Sequence, residues 1–152
     1  MTISLLILAL VAAIGPAAAG AVVATRRRVV VVTVEGTSMV PTYRPGDRLL
    51  VRRCGLGGVS RGQAVVVLRP DLVTGWQVAG RSGGRPGDSQ WFVKRAAGLP
   101  GDPVPSAGGP DAVVPPDHLY LLGDNPVSED SRKWGWCPAD RVVGVVVRAL
   151  GG

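Results

Sequence analysis

Residues 29–51 read Val-Val-Val-Val-Thr-Val-Glu-Gly-Thr-Ser-Met-Val-Pro-Thr-Tyr-Arg-Pro-Gly-Asp-Arg-Leu-Leu-Val, and this stretch decides the fold. The β-branched run from Val29 to Val34 has no helical period, and such side chains lose rotamers in a helix but pack well on a pleated surface. Glu35-Gly36 closes the run. Arg44-Pro-Gly-Asp47 is a turn, with Pro presetting φ and Gly supplying a positive φ, and Arg48 to Val51 then resumes as a strand.

Outward from there, similar runs recur at Ala64 to Leu68, Trp91 to Val93, His118 to Leu122 and Val142 to Val147, each bounded by Gly, Pro or Asp. With 22 Gly and 13 Pro among 152 residues, many short strands and turns fit better than a helical bundle. The expectation is a mainly β domain, barrel-like or sandwich-like, over residues 29–150. Four Trp, two Tyr and one Phe leave its core to Val and Leu. Gly80 to Ser89 reads as a hairpin tip, and Pro100 to Pro116 as a Pro-rich connection. Pro-Gly-Asp occurs at 45–47, 86–88 and 100–102, which is turn chemistry rather than a repeat.

The chain before residue 29 is of another kind. Ile3 to Ala24 carries no charge and is almost wholly apolar, and as a helix at about 1.5 Å per residue it reaches roughly 33 Å, enough to span a bilayer. With no basic side chain ahead of it, a retained anchor is favoured over a cleaved leader, although Ala17-Ala18-Ala19 mimics a cleavage site. Residues 1–25 are thus expected to be a transmembrane helix, 26–28 a basic flank and 29–152 the β domain. Arg26-Arg27-Arg28 would keep that flank in the cytoplasm by the positive-inside rule, or would sit among anionic headgroups on either side.

Seventeen Lys and Arg against eleven Asp and Glu give a net charge of +6, which suits nucleic acid or an anionic membrane and does not choose between them. Two cysteines and one histidine are too few for a structural zinc site of Cys and His ligands, and Cys54 and Cys137 permit at most one internal disulfide. A metal-free enzyme would draw its general base from His118, Lys94, Lys133 or a carboxylate. His118, between a Pro-Pro-Asp turn and a strand, reads as an ordinary strand-edge histidine. Lys94 is one of only two lysines beside fifteen arginines, so charge alone does not explain it. At an apolar strand end, lowering its pKa from ~10.4 to about 8 takes roughly 3 kcal/mol, within reach of burial; the plain alternative is a lysine snorkelling from a strand edge. Ser38, in Gly36-Thr-Ser-Met-Val-Pro-Thr42, is a candidate nucleophile where Pro41 favours extended geometry at Val40, or else a turn hydroxyl. Gly123-Asp-Asn-Pro-Val-Ser-Glu-Asp-Ser-Arg132 gathers carboxylates, hydroxyls and a guanidinium, with Arg132 able to pair with Asp130 or Asp124.

Together the three segments resemble the type I signal peptidase family, Ser/Lys serine proteases that remove signal peptides from exported proteins. Ser38-Met-Val-Pro-Thr42 looks like the nucleophile box, Lys94-Arg-Ala-Ala-Gly-Leu-Pro-Gly-Asp102 like the lysine box, and Gly123 to Arg132 like the final box, in that order behind an apolar segment. The resemblance implies a signal-peptidase-like catalytic domain with Ser38 as nucleophile, Lys94 as general base and Ser128 orienting the lysine. It makes Asp130 and Arg132 a supporting ion pair, gives the oxyanion the Ser38 N–H, and places Gly36 where some relatives carry a serine hydroxyl. Met39 would line the cleft. The implied partners are signal-peptide-bearing precursors with small residues at −1 and −3, bound as an added strand, and the bilayer; no nucleic acid, cofactor or metal is implied, and the protein would be a monomer.

The final box has two residues between Asn125 and Ser128 where three are expected, and Arg61-Gly-Gln63 stands where Gly-Asp is expected. Catalysis on the outer membrane face opposes the charge rule applied to Arg26 to Arg28. Trp134-Gly-Trp136 is either an interface-seeking surface or a pair of core tryptophans, and Cys54 pairs with Cys137 only if they approach each other outside the cytoplasm. A maturation protease with a single client is a related expectation. A repressor-type Ser/Lys autoprotease lacks support because the chain has no separate DNA-binding domain. From another class, a non-catalytic tethered β module would use the basic surface to bind anionic lipid or a protein partner.

Overall fold

The computed structural model describes residues 28–70, 75–76, 91–104 and 111–151. The expected anchor over 1–25 and the hairpin tip over 80–89 lie outside the described residues. Among the described residues, no helix is long and apolar enough to cross a membrane.

Among the described residues, seven strands form one antiparallel sheet: β1 (Val29–Thr33), β2 (Arg48–Arg53), β3 (Ala64–Leu68), β4 (Trp91–Gly98), β5 (His118–Leu122), β6 (Cys137–Pro138) and β7 (Val142–Ala149). Their order is β1-β2-β7-β3-β4-β5-β6. The mainly β expectation holds, and the six runs picked out in the sequence are all strands. In place of a closed barrel or two stacked sheets there is a single curled sheet with β1 and β6 at its ends. Register shifts at Leu50/Val51, Val66/Val67 and Ala96/Gly98 bend it, as bulges do.

β3 explains the position of the core. Its side chains alternate between faces, so an apolar residue at every position requires cover on both. Ala64 and Val66 join Val32, Val34, Met39, Leu49, Val51 and Val93, while Val65 and Val67 join Val59, Ala96, Leu119, Leu121, Cys137 and Val145. Val and Leu dominate both clusters, as the scarcity of aromatic residues requires. Gly144 is what admits β7: a Cβ there would fall 2.2 Å from the Arg52 carbonyl oxygen.

Three turns share one design. In Arg44-Pro-Gly-Asp47 and Leu99-Pro-Gly-Asp102 the glycine has φ 95° and 86°, the Asp N–H donates to the carbonyl three residues back, and the Asp carboxylate accepts from the Arg44 or Leu99 N–H at 2.8 and 2.9 Å. Ser60-Arg-Gly-Gln63 does the same: Gly62 has φ 81°, and Gln63 Oε1 accepts from the Ser60 N–H at 2.9 Å. The glutamine at the unexpected position thus performs the aspartate's task.

One expectation is corrected. The Pro-rich stretch after residue 100 is not a plain connection: Pro103 pairs with Val113, and Val104 and Val114 pack on Tyr120 as a third small core, because the ladder there uses the Val104 and Val114 N–H groups and needs none from Pro103. Residues 37–43 form consecutive turns, with the Val40 N–H on the Thr37 carbonyl and the Tyr43 N–H on the Met39 carbonyl, and the Val40–Pro41 peptide is cis. Ser38 therefore stands in a turn, one of the two placements its sequence left open. The final loop ends in a short helix, α1 (Ser131–Trp134), capped by the Asp130 side chain.

Candidate active site

Three segments far apart in sequence meet at one cleft of about 600 Å³, lined among others by Gly36, Ser38, Met39, Lys94, Ser128 and Glu129. The turn after β1 brings Ser38, β4 brings Lys94, and the loop after β5 brings Ser128.

Hydrogen bonds fasten the final loop to the Ser38 turn. The Asn125 N–H donates to the Ser38 carbonyl at 3.0 Å, and Asn125 Nδ2 donates to the Thr37 carbonyl at 3.2 Å. Asp124 accepts from Thr42 Oγ1 at 2.5 Å and from both Nε and a terminal nitrogen of Arg95, at 2.7 and 2.6 Å. Arg95 also donates to the Gly62 carbonyl. One carboxylate so ties the residue after Lys94 to the turn that carries Ser38. The Arg95 hydrogen bond, ahead of the opposing effect of burial, holds the Asp124 carboxyl below its ordinary range.

Gly123 sits where these parts press together. A Cβ on it would lie 2.1 Å from Ser128 Oγ and 2.5 Å from the Ser38 carbonyl oxygen. Ser128 and the Ser38 backbone are therefore neighbours across a residue with no side chain, despite the shortened loop.

Lys94 lies 2% exposed on β4, opposite Val65, with its nitrogen 5.0 Å from the centre of the Phe92 ring. Burial removes water from the ammonium and lowers its pKa from 10.5 to about 8; Asp130 and Glu129 act in the opposite direction without overcoming it. The snorkelling alternative fails for this residue. Lys133, by contrast, is a surface cation paired with Glu129.

Asp130 is the buried polar centre of the loop. Its carboxylate accepts from the Gly123 N–H at 3.0 Å, Ser128 Oγ at 2.6 Å, the Arg132 N–H at 3.1 Å and two guanidinium nitrogens of Arg132 at 2.9 and 2.7 Å. Burial pushes its pKa up, but the Arg132, Gly123 and Ser128 bonds outweigh it and keep the carboxyl well below the usual range. Of the two partners the sequence offered Arg132, the structure selects Asp130. Next to it, Ser131 Oγ accepts from the Leu121 N–H at 2.9 Å and docks the loop on β5.

The remaining candidates lie elsewhere. His118 Nδ1 is 2.7 Å from the Pro116 carbonyl oxygen, and the residue does not line the cleft. Trp134 stacks on Phe92 at 5.5 Å and Trp136 meets Tyr120 edge-on at 5.4 Å, so both are half-buried in aromatic packing. Cys54 and Cys137 are unpaired, and burial pushes the Cys137 thiol far up. Thr42, Arg95 and Gly123 lie within the three boxes, but sequence reasoning assigned them no role in the site.

A Ser hydroxyl, a lysine amine with a lowered pKa and a second hydroxyl anchored on a carboxylate in one cleft can support nucleophilic acyl transfer without metal. Comparison with known proteins gives the family. A family profile described as "Signal peptidase, peptidase S26" matches residues 7–110 and 105–150. "Signal peptidase I" of Leptolyngbya laminosa is 30% identical over 135 residues, 72% of this chain and 63% of that protein. "Probable signal peptidase I-1" of Synechocystis is 30% identical over 132 residues, 70% and 63% of the two chains, and "Signal peptidase IB" of Staphylococcus aureus is 30% identical over 140 residues, 75% and 73%. The aligned part thus covers less than two thirds of the first two relatives. With the profile match running through all three segments of the cleft, this chain belongs to the signal peptidase family, peptidase S26.

Proposed function

We propose that this protein is a Ser/Lys endopeptidase that cleaves signal peptides, or one dedicated precursor, after small residues. The observation that carries the proposal is the buried Lys94, titrating at about 8 in the same cleft as Ser38 and Ser128. An arginine cannot deprotonate in a protein, whereas a desolvated lysine can. At neutral pH roughly a tenth of such a lysine is the free amine.

In the mechanism that follows, Ser38 Oγ attacks the scissile carbonyl and Lys94 Nζ takes its proton, later passing it to the leaving amine. Ser128 donates its own proton to Asp130, which leaves its oxygen free to accept from the Lys94 amine and aim the nitrogen lone pair at Ser38. The Ser38 N–H faces the developing oxyanion. Water then hydrolyses the acyl-enzyme with Lys94 again as base. The substrate enters extended beside β1, an end strand with one unpaired edge, and places its small −1 and −3 side chains against Met39 and the neighbouring valines.

Residues 1–25 serve as the membrane anchor and the domain works on the extracytoplasmic side, the side on which leaders emerge. Arg26 to Arg28 then contact headgroups. Protease added to intact cells or spheroplasts should digest the domain; complete protection would reverse the orientation.

The deciding experiment is incubation of the detergent-solubilised chain with a precursor carrying Ala at −1 and −3, beside Ser38→Ala and Lys94→Ala. The parent cuts at that bond and neither variant does. Full activity in either folded variant refutes the assigned roles.

A further inference from the structure

The cleft extends beyond the reacting groups, along β1 and the front of β4, to Val31, Trp91, Phe92 and Arg69. Arg69 directly follows β3. Val65 faces Lys94 and Leu68 faces Trp91, so the Arg69 backbone lies past the Trp91 end of β4, and its side chain folds back over Phe92. The guanidinium carbon stands 5.3 Å and the Lys94 nitrogen 5.0 Å from the centre of that one ring, so the two cations are at most about 10 Å apart, roughly three residues of extended chain at ~3.3 Å each. That ring is itself held by stacking on Trp134 at 5.5 Å with 26° between the planes.

A guanidinium lying over an aromatic ring keeps the N–H groups of its outer edge available and in one plane, the geometry that forks a carboxylate. Arg69 is exposed, and among the described residues no carboxylate stands within ion-pair distance of it. Lys94 is the other cation lining the cleft, and it is buried. Of the anions there, Glu129 holds Lys133 and Glu35 lies on the segment leading to Ser38. The far end of the cleft is therefore cationic over an apolar floor.

We propose that Arg69 is a specificity-determining residue that recognises an acidic side chain of the precursor about four residues N-terminal to the cleaved bond, an inference resting on the Ser/Lys peptidase reading. The segments 31–36 and 91–93 wall the cleft and run from the Arg69 end toward Ser38 and Lys94, whereas Ser128 borders the Ser38 end. The long arm of the cleft then belongs to the acyl side of the substrate, the side bearing the −1 and −3 residues. Precursors with Glu or Asp near this position are favoured and those with Lys or Arg repelled, which narrows the range of clients.

The test uses three precursors that share Ala at −1 and −3 and carry Glu, Gln or Lys at −4, with neighbouring positions scanned in turn. Each is cleaved by the full-length parent, Arg69→Gln and Arg69→Glu. The parent should prefer Glu over Lys roughly five- to tenfold in kcat/KM, Arg69→Gln should be indifferent, and Arg69→Glu should prefer Lys. High salt should compress the preference. Binding of the same precursors to Ser38→Ala and to Ser38→Ala/Arg69→Glu gives a readout independent of turnover. Cleavage or binding with the same charge order in Arg69→Glu as in the parent overturns the subsite and leaves the peptidase intact. Charge-ordered binding without cleavage by the parent keeps the subsite and refutes the peptidase.

Discussion

Burial changes the chemistry of Lys94 by stripping water from its ammonium. Neutral Lys94 is required as base, so kcat/KM should rise with pH through about 8, and Lys94→Met should remove on the order of a thousandfold or more of the rate. A pH profile with its acid limb near 6 would assign the base elsewhere. Gly123 offers a second test at this scale. Its missing Cβ makes room for Ser128 and the Ser38 carbonyl together, so Gly123→Ala should displace one from the other and cost roughly a hundredfold in kcat, with a folded domain by circular dichroism. Full activity in this variant would mean that Ser128 does not act through its proximity to Ser38. Lys94 could be singled out in the sequence because lysine is rare in this chain. Gly123 could not, since a glycine before Asp-Asn reads as an ordinary turn until the atoms around it are known.

Among the elements, the turns and the β2–β7 seam carry the expectations. The Ser60-Arg-Gly-Gln63 turn uses Gln63 as the other two turns use Asp, so Gln63→Ala should cost about 1 kcal/mol, while Gln63→Asp should keep the parent's stability in urea titration. Equal losses in both would show that the side chain is not the turn's acceptor. Gly144 pairs with Arg53 across the seam, and its substitution by Ala would drive Cβ into the Arg52 backbone. Because the obstacle is backbone and not a flexible side chain, Gly144→Ala should lose roughly 3 kcal/mol; a loss near zero would mean that β2 and β7 slide apart easily. Strand identity was legible here because β-branched runs bounded by turn residues have few other solutions. The small core under Pro103 and Val113 was not, because proline masks strand pairing when its missing N–H points away from the ladder.

For the whole molecule, pH stability follows from four groups. Lys94 has a lower pKa folded than unfolded, so the unfolded chain binds the extra proton between about 8 and 10.5; the buried Cys137 thiol, raised from 9.0, acts in the opposite direction above about 9, so stability should rise with pH from about 8 to 9 and level off or fall beyond. Asp124 and Asp130 are depressed in the folded state, so their contributions are present above the ordinary carboxylate range and are lost as pH falls below it. Denaturant titrations from acid to alkaline pH should show both slopes. Lys94→Met should flatten the alkaline one and Asp130→Asn should weaken the acid one; an unchanged alkaline slope in Lys94→Met would contradict a desolvated amine at that position.

The sequence by itself determined the family and the strands. Three boxes in order are improbable by chance, and side-chain branching and turn chemistry act over a few neighbouring residues. The order of strands in the sheet, the selection of Asp130 over Asp124 by Arg132, and the use of Arg95, Asp124 and Thr42 as a clamp were decided only in the tertiary structure. Each depends on partners tens of residues apart, and local chemistry does not state which carboxylate a guanidinium will meet. The same holds for Lys94: the sequence singled it out, but its burial, and with it the lowered pKa, arises only when strands from both halves of the chain exclude water from one cleft.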